Sequence, residues 1–422
     1  MADKAPSASV PFIISPEALE KCRAVASRIL CPHCMGRLLA KVGRGLGNDE
    51  RGRIIYKELG ISNIPEPKDC TICRGLFSEL DLFAKVALKK ADGWEFKSYL
   101  IGTKVDPEIQ EKEEALWAEM KFDTQEPIKV ELNREIGKRV GALSGLEPDF
   151  KAPDITFVID TRFNTVELNI KSLFIYGRYQ KFERGIPQTK WPCRRCRGRG
   201  CPYCENTGKM YQTSVEELAG APVLRAAQGT GHSFHGMGRE DIDARMLGSG
   251  RPFILEIANP RVRTMDLASL ENEINTVNAG KIGVDRLKWT ETQEVERIKA
   301  SRANKRYRVT VSFEFGPDKE KLYKVASNFC ALTIHQQTPK RVLHRRADLK
   351  RERTVHSFEI IELEGNKAVI EITGESGLYI KELIHGDSGR TKPNFAEELG
   401  SNCTVESLDV MGVQDAEENQ GE

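Results

Sequence analysis

Two kinds of residue cluster in this 422-residue chain could carry chemistry. The first is cysteine. Eight of the eleven cysteines stand in CxxC pairs, and the pairs group as Cys31/Cys34 with Cys70/Cys73 and Cys193/Cys196 with Cys201/Cys204. A CxxC turn sets two thiolates on one side of a tight bend, and two turns complete a tetrahedral four-sulfur zinc site with Zn–S distances of about 2.3 Å. Cys31, Cys34, Cys70 and Cys73 have that spacing around a helix-sized insert. Four thiolates leave no open coordination position, so this site is expected to fold the chain rather than catalyse. His33, inside the first turn, reads as a bystander. Cys193, Cys196, Cys201 and Cys204 are more compact, with four residues between the pairs. One metal site or a cluster of free thiols both fit that spacing. Cys22, Cys330 and Cys403 are unpaired and expected in core packing.

The second cluster is acidic. Gly238-Arg239-Glu240-Asp241-Ile242-Asp243-Ala244-Arg245 places carboxylates between arginines, just before Gly248-Ser249-Gly250-Arg251-Pro252-Phe253. A neighbouring cation favours the charged form of a carboxylate. A charged and oriented carboxylate can act as a nucleophile or a base. The same residues also describe a surface loop tied by ion pairs.

The elements that must position these groups follow from caps and periodicity. Ser15-Pro16 marks a helix start leading to Cys31. Leu76, Leu80, Phe83, Ala84 and Ala87 lie at helical spacing after Cys73, predicting a helix from Leu76 to about Lys90. Strand alternation then begins at Glu95 and runs to Gly102. A helix over Val130–Leu143 carries a basic side of Arg134, Lys138 and Arg139, and Ile155–Ile159 and Val166–Tyr176 read as strands. Ser214 and Glu217 form a capping box before an apolar helix. Further on, strands are expected at Pro252–Ile257, Tyr307–Phe315, Ser357–Leu363 and Ala368–Thr373, with helices at Asp266–Val277 and Asp318–Ala326. Glu364-Gly365-Asn366-Lys367 signals a hairpin between the last two strands. The first ten residues and the acidic tail from Gln414 are expected to be disordered or frayed.

Charged residues make up 30% of the chain and hydrophobic ones 39%, which fits a folded protein of two or three domains. No apolar run is long enough to cross a bilayer, and the first residues have no secretory pattern, so the expected compartment is the cytosol. Reducing conditions there favour metal over disulfides for the paired cysteines. The net charge is only +2, but basic residues cluster. Lys340, Arg341, Arg345, Arg346, Lys350, Arg351 and Arg353 form one stripe, and Lys190, Arg194, Arg195, Arg197 and Arg199 another. Such stripes suit a phosphate backbone, or simply a solvated face. Gly43-Arg-Gly-Leu-Gly47 follows no predicted strand and lacks a Lys-Ser/Thr ending, which argues against a nucleotide loop.

The acidic loop and its continuation, G-R-E-D-x-D-x-R-M-L-G-x-G-R-P-F, resemble the signature loop of the archaeal and eukaryotic tRNA pseudouridine synthases that modify uridines 54 and 55. Lys305-Arg306-Tyr307 resembles the K-x-Y strand of the bacterial uridine-55 synthase. Gly377-Leu378-Tyr379-Ile380-Lys381-Glu382-Leu383 resembles a G-T-Y-I-[KR]-x-L motif, with Leu378 in the usual place of threonine. Thr338–Asp348, His385–Thr391, Ile175–Tyr179 and Gln188–Trp191 are similar to this family too, so the resemblance spans about residues 22–413. It implies Asp241 as the catalytic carboxylate, with Asp243 in support. It implies Tyr307 against the target base with one face of the ring open, and Lys381 paired with Asp241. Ile380 and Leu408 would be apolar walls of the base pocket, and Arg239 and Tyr379 would contact substrate.

The implied fold class is α+β. An N-terminal zinc-binding helical region (1–90) would precede a THUMP-like RNA-binding domain (91–185). A catalytic domain (186–413) on a mixed, largely antiparallel sheet, with the cysteine-rich insert 193–204, and an acidic tail (414–422) would follow. The expected partner is tRNA, with the THUMP-like domain on its acceptor end. No cofactor is expected beyond structural zinc, and the expected form is a monomer that binds no membrane. Two other readings start from the same cysteines. One is a non-catalytic zinc-containing RNA-binding protein, which would need no isolated carboxylate in a pocket. The other rests on CRRCRGRGCPYCENTG, which is similar to half a cysteine-rich repeat of J-domain chaperones, but the HPD tripeptide and the remaining repeats are absent.

Overall fold

The computed structural model describes residues 11–344 and 346–414. The first ten residues, the tail beyond Gln414 and Arg345 lie outside that range. The chain divides after Lys171 into two compact units.

The first unit opens with a helix over Pro16–Val25, capped by the Ser15 hydroxyl accepting from the Ala18 amide. A left-handed residue, Ile29, turns the chain toward Cys31. Helices Pro32–Arg37 and Asn48–Glu58 then cross at backbone contact. A Cβ on Gly52 would lie 1.9 Å from the Pro32 carbonyl oxygen, and one on Gly36 would lie 1.8 Å from that of Asn48. Only glycine allows that approach.

A four-stranded sheet follows, of β1 (Ser98–Lys104), β2 (Glu147–Pro148), β3 (Ile155–Asp160) and β4 (Thr165–Ile170), in the order β2-β1-β3-β4. The helix Ile128–Ser144 buries Ile128, Leu132, Ile136 and Val140, spaced three or four residues apart as helical burial requires. Its basic side is paired within the unit, Arg134 with Glu126 and Arg139 with Asp81 and Glu135. One continuous core runs from Cys22 to Ile159, so the cysteine region and the sheet pack together rather than parting near residue 90.

The second unit is built on a ten-stranded sheet. Its strands are β5 (Leu173–Lys181), β6 (Gly231–Gly236), β7 (Arg245–Ala258), β8 (Ile282–Thr290), β9 (Lys305–Phe313), β10 (Leu332–Gln337), β11 (Lys350–Glu364), β12 (Lys367–Gly374), β13 (Thr391–Lys392) and β14 (Cys403–Val413). Their order is β13-β10-β11-β12-β9-β14-β7-β5-β8, with β6 paired to β7. All pairs are antiparallel except β14 with β7. The fold class is therefore α+β with a mixed, largely antiparallel sheet.

The domain expected at 91–185 would contain β5. That strand lies instead in the second unit's sheet, because its partners are β7 and β8. The expected strand at Pro252–Ile257 is the end of a longer one that starts at Arg245. Gly248 lets that strand pass β14 closely, since a Cβ there would sit 1.9 Å from the Met411 carbonyl oxygen. Cys22 and Cys403 are core residues as expected, but Cys330 is exposed. Among the described residues, no helix is long and apolar enough to cross a membrane.

Candidate active site

The acidic loop joins β6 to β7, and its backbone is held from below by buried polar side chains. Arg251 on β7 donates to the Met237 carbonyl (2.8 Å), and Gln188 donates to that of Gly238 (2.9 Å). Lys181, at the end of β5, donates to the carbonyls of Ile242 (3.2 Å) and Asp241 (3.4 Å), and to Ile186. Glu240 turns inward and balances these cations: its carboxylate accepts from the Tyr179 hydroxyl at 2.7 Å and lies 3.0 Å from the Arg251 guanidinium and 3.7 Å from Lys181. Burial pushes the Lys181 ammonium down from its ordinary value, with Glu240 opposing. Buried charge is tolerated only when paired and hydrogen-bonded, so this cluster ties the loop to one conformation.

With Glu240 facing in, Asp241 faces a cavity of about 270 Å³. Arg239, Asp241, Tyr307, Tyr379, Ile380, Lys381 and Leu408 all line it. They come from the loop, β9, β14 and the short helix Ile380–His385 with its N-cap Tyr379, so the fold brings every sequence-predicted pocket residue to one place. Ile380 and Leu408 are buried and give it an apolar wall. Gln336 on β10 fixes Tyr379 by exchanging hydrogen bonds with its backbone N–H (2.8 Å) and carbonyl (2.9 Å), and the Tyr379 hydroxyl accepts from Arg346. Arg239 lies over the Trp191 ring at 5.0 Å.

Three features depart from expectation. The Asp241 side chain, 27% exposed, has Arg341 as its near partner at 2.8 Å. Lys381 stands 3.9 Å from Asp241 and 2.7 Å from Asp243. Asp243 is thus the closer partner of Lys381. Partial burial pushes the Asp243 carboxyl up, but the Lys381 ammonium outweighs it and holds the group below the usual carboxylate range.

Lys305, the lysine of the K-x-Y strand with no role assigned from sequence, also lines the cavity and donates to the Ser376 hydroxyl at 2.9 Å. Burial and the nearby Arg251 charge bring its ammonium down to about 8.

Finally, Tyr307 is only 8% exposed and packs in the main core as well as lining the cavity. The open face expected of its ring is correspondingly small. Tyr307→Ala is therefore expected to cost about 3–5 kcal/mol of stability in addition to activity. Tyr307→Phe keeps the ring, and should retain the fold and lose only part of the rate. Unfolding free energy and specific activity per folded molecule, measured on both variants, check this. Unchanged specific activity in Tyr307→Ala would remove Tyr307 from the site.

Each unit also holds one four-cysteine group. Within each group the four sulfurs lie within 4.8 Å of one another, Cys31, Cys34, Cys70 and Cys73 in the first and Cys193, Cys196, Cys201 and Cys204 in the second. Individual separations are 3.7 Å for Cys31–Cys73, 3.8 Å for Cys196–Cys204 and 3.9 Å for Cys193–Cys201. Zn–S bonds of about 2.3 Å in a tetrahedron require edges of about 3.8 Å, so both groups fit a metal ion of that kind. His33 is engaged elsewhere, 2.7 Å from Glu131 and stacked on Phe77.

Comparison with known proteins gives a consistent result. Residues 174–414 match the family model "Pus10, C-terminal", and residues 83–160 match "Pus10 THUMP domain, archaeal". Proteins named tRNA pseudouridine synthase Pus10 are similar over nearly the whole length. That of Methanothermobacter marburgensis is 43% identical over 94% of this chain and 98% of its own. That of Halorubrum lacusprofundi is 41% identical over 94% of this chain and 96% of its own. That of Methanopyrus kandleri is 40% identical over 91% and 95%.

Proposed function

The chain belongs to the Pus10 family of tRNA pseudouridine synthases, and from that premise we propose that Asp241 isomerises uridines 54, 55 or both in the T-arm of tRNA. The observation that carries this reading is the placement of a partly exposed carboxylate on the wall of a cavity shared with Tyr307, Ile380, Lys381 and Leu408. The reaction breaks the bond between N1 of uracil and C1′ of ribose, turns the base, and joins C5 to C1′. The C5 proton leaves and N1 gains one, so no electrons or groups enter or leave overall. No cofactor is required by that balance.

The base must leave the helical stack, which costs a few kcal/mol. The small part of Tyr307 open to the cavity would recover part of this, up to about 1–3 kcal/mol if its ring face stacks on the base. Ile380 and Leu408 would exclude water, which strengthens the electrostatic interactions inside the pocket. Asp241 would either attack the sugar or base, or abstract a proton. Arg239 and Tyr379 would contact the substrate at the mouth.

Zinc is the metal proposed for both four-cysteine groups. Around the second, Arg194, Arg195, Arg197 and Arg199 form a basic knob suited to RNA phosphates. The THUMP domain is proposed to engage the acceptor end of tRNA, and the working form to be a cytosolic monomer. Purified protein incubated with an unmodified tRNA transcript and no added cofactor should convert uridine to pseudouridine in the nucleoside digest. Binding without any conversion would favour a non-catalytic RNA-binding protein instead.

A further inference from the structure

Arg341 is legible in the sequence as one member of a basic stripe and of the family-like stretch Thr338–Asp348, with no role of its own. Its geometry is unlike that of a phosphate-seeking surface cation. Its Nη1 donates to one Asp241 carboxylate oxygen at 2.8 Å. Its Nε donates to the Glu382 carboxylate at 2.7 Å, with Nη2 3.5 Å from the second oxygen of that group. The Glu382 side chain is 2% exposed, so it is not a surface partner. Glu382 sits on the short helix Ile380–His385, beside the pocket-lining Ile380 and Lys381.

The segment carrying Arg341 is anchored independently. The Lys340 amide donates to the Asp387 carboxylate at 3.0 Å, and the Thr338 hydroxyl donates to the Ala347 carbonyl at 2.7 Å. A guanidinium is a planar fork with donors on more than one edge, so it can hold two carboxylates in a fixed relation, as an ammonium cannot. A carboxylate that must react inside a pocket closed to water needs a counter-charge already in place.

We propose that Glu382 and Arg341 are positioning residues for the reaction: buried Glu382 orients Arg341, and Arg341 holds Asp241 in its reactive orientation and balances its charge. Lys381, nearer Asp243, completes the charge pattern one step further out. This inference rests on the assignment of Asp241 as the reacting carboxylate.

The test is steady-state kinetics on unmodified tRNA transcript with the full chain. Arg341→Met should lower kcat by roughly 10²-fold, the scale of losing one preorganised charge partner, and leave KM within a few-fold. Arg341→Lys should recover only part of the loss, since an ammonium cannot span both carboxylates. Glu382→Gln should lower kcat less than Arg341→Met. Because the two act as one unit, the double variant Glu382→Gln/Arg341→Met should be no worse than Arg341→Met alone. The double variant also removes both charges together. If Arg341→Met fails to fold, Arg341→Lys with and without Glu382→Gln carries the same comparison.

A rise in KM with unchanged kcat would make Arg341 a phosphate contact and overturn the proposal. Multiplying losses in the double variant would overturn the coupling to Glu382. Asp241→Asn is assayed alongside. If it is inactive while the Arg341 variants match wild type, only this inference falls. If it is active, the assignment of Asp241 itself falls.

Discussion

Asp241→Asn is expected to abolish pseudouridine formation, with a rate loss of at least roughly 10²–10⁴-fold, the range lost with a positioned acid–base group. The affinity for tRNA should stay within a few-fold, because phosphate contacts far from one carboxylate dominate RNA binding. The amide keeps the shape of the side chain and can still accept from Arg341, so the fold should persist. Asp243→Asn is the matched control. Its side chain is 69% exposed and does not line the Asp241 cavity, although its partner Lys381 does, so most of the activity should remain. Single-turnover rates and binding isotherms on both variants check the pair. The opposite outcome, an inactive Asp243→Asn and an active Asp241→Asn, would place the chemistry two residues downstream.

The second large effect concerns metal. Cys31, Cys34, Cys70 and Cys73 are all buried within the first unit's continuous core, and Arg37 donates to the Cys34 sulfur at 3.1 Å. Losing the ion would leave four buried thiols where a charged centre had joined two separate chain segments. Structural zinc is worth about 10–16 kcal/mol of apparent folding free energy in zinc-finger peptides, where it supplies the whole fold. The first unit has a core of its own and would lose only part of that, but part of it is already comparable with a typical domain stability of about 5–15 kcal/mol. Elemental analysis should find zinc in the purified chain, and Cys31→Ser should lose one equivalent and unfold the first unit. Soluble, active protein with no zinc would remove the claim.

Local chemistry was legible in the sequence, and long-range pairing was not. The cap at Ser214 is read correctly because its evidence lies within three residues: the hydroxyl accepts from the Glu217 amide. The strand expected at Tyr307–Phe315 is found two residues earlier, at Lys305–Phe313, where the alternating Tyr307, Val309, Val311 and Phe313 are buried. β8, in contrast, mixes Asp285, Arg286 and Lys288 with apolar residues, and its pattern fades after Val284. β5 is not legible as part of the second unit because its partners lie 65 to 116 residues further along the chain.

The pocket residues were carried by motif resemblance, but their electrostatic partners were not. Arg341 meets Asp241 across 100 residues of sequence, and Lys181 grips the loop across about sixty. A buried lysine at the end of a strand carries no local mark of its role, so the support beneath the loop emerges only from the fold. Lys381 shows the reverse case: the motif was legible, while its nearer partner, Asp243, depended on where the short helix sits.

The central claim is that one carboxylate, Asp241, isomerises uridine in the T-arm. Site-resolved pseudouridine mapping of an unmodified tRNA transcript, incubated in parallel with the wild-type chain and with Asp241→Asn, tests it most directly. The account predicts modification at position 54, position 55 or both with the wild-type chain, and none with the variant. Pseudouridine at those positions with Asp241→Asn, or its appearance only outside the T-arm, would contradict it.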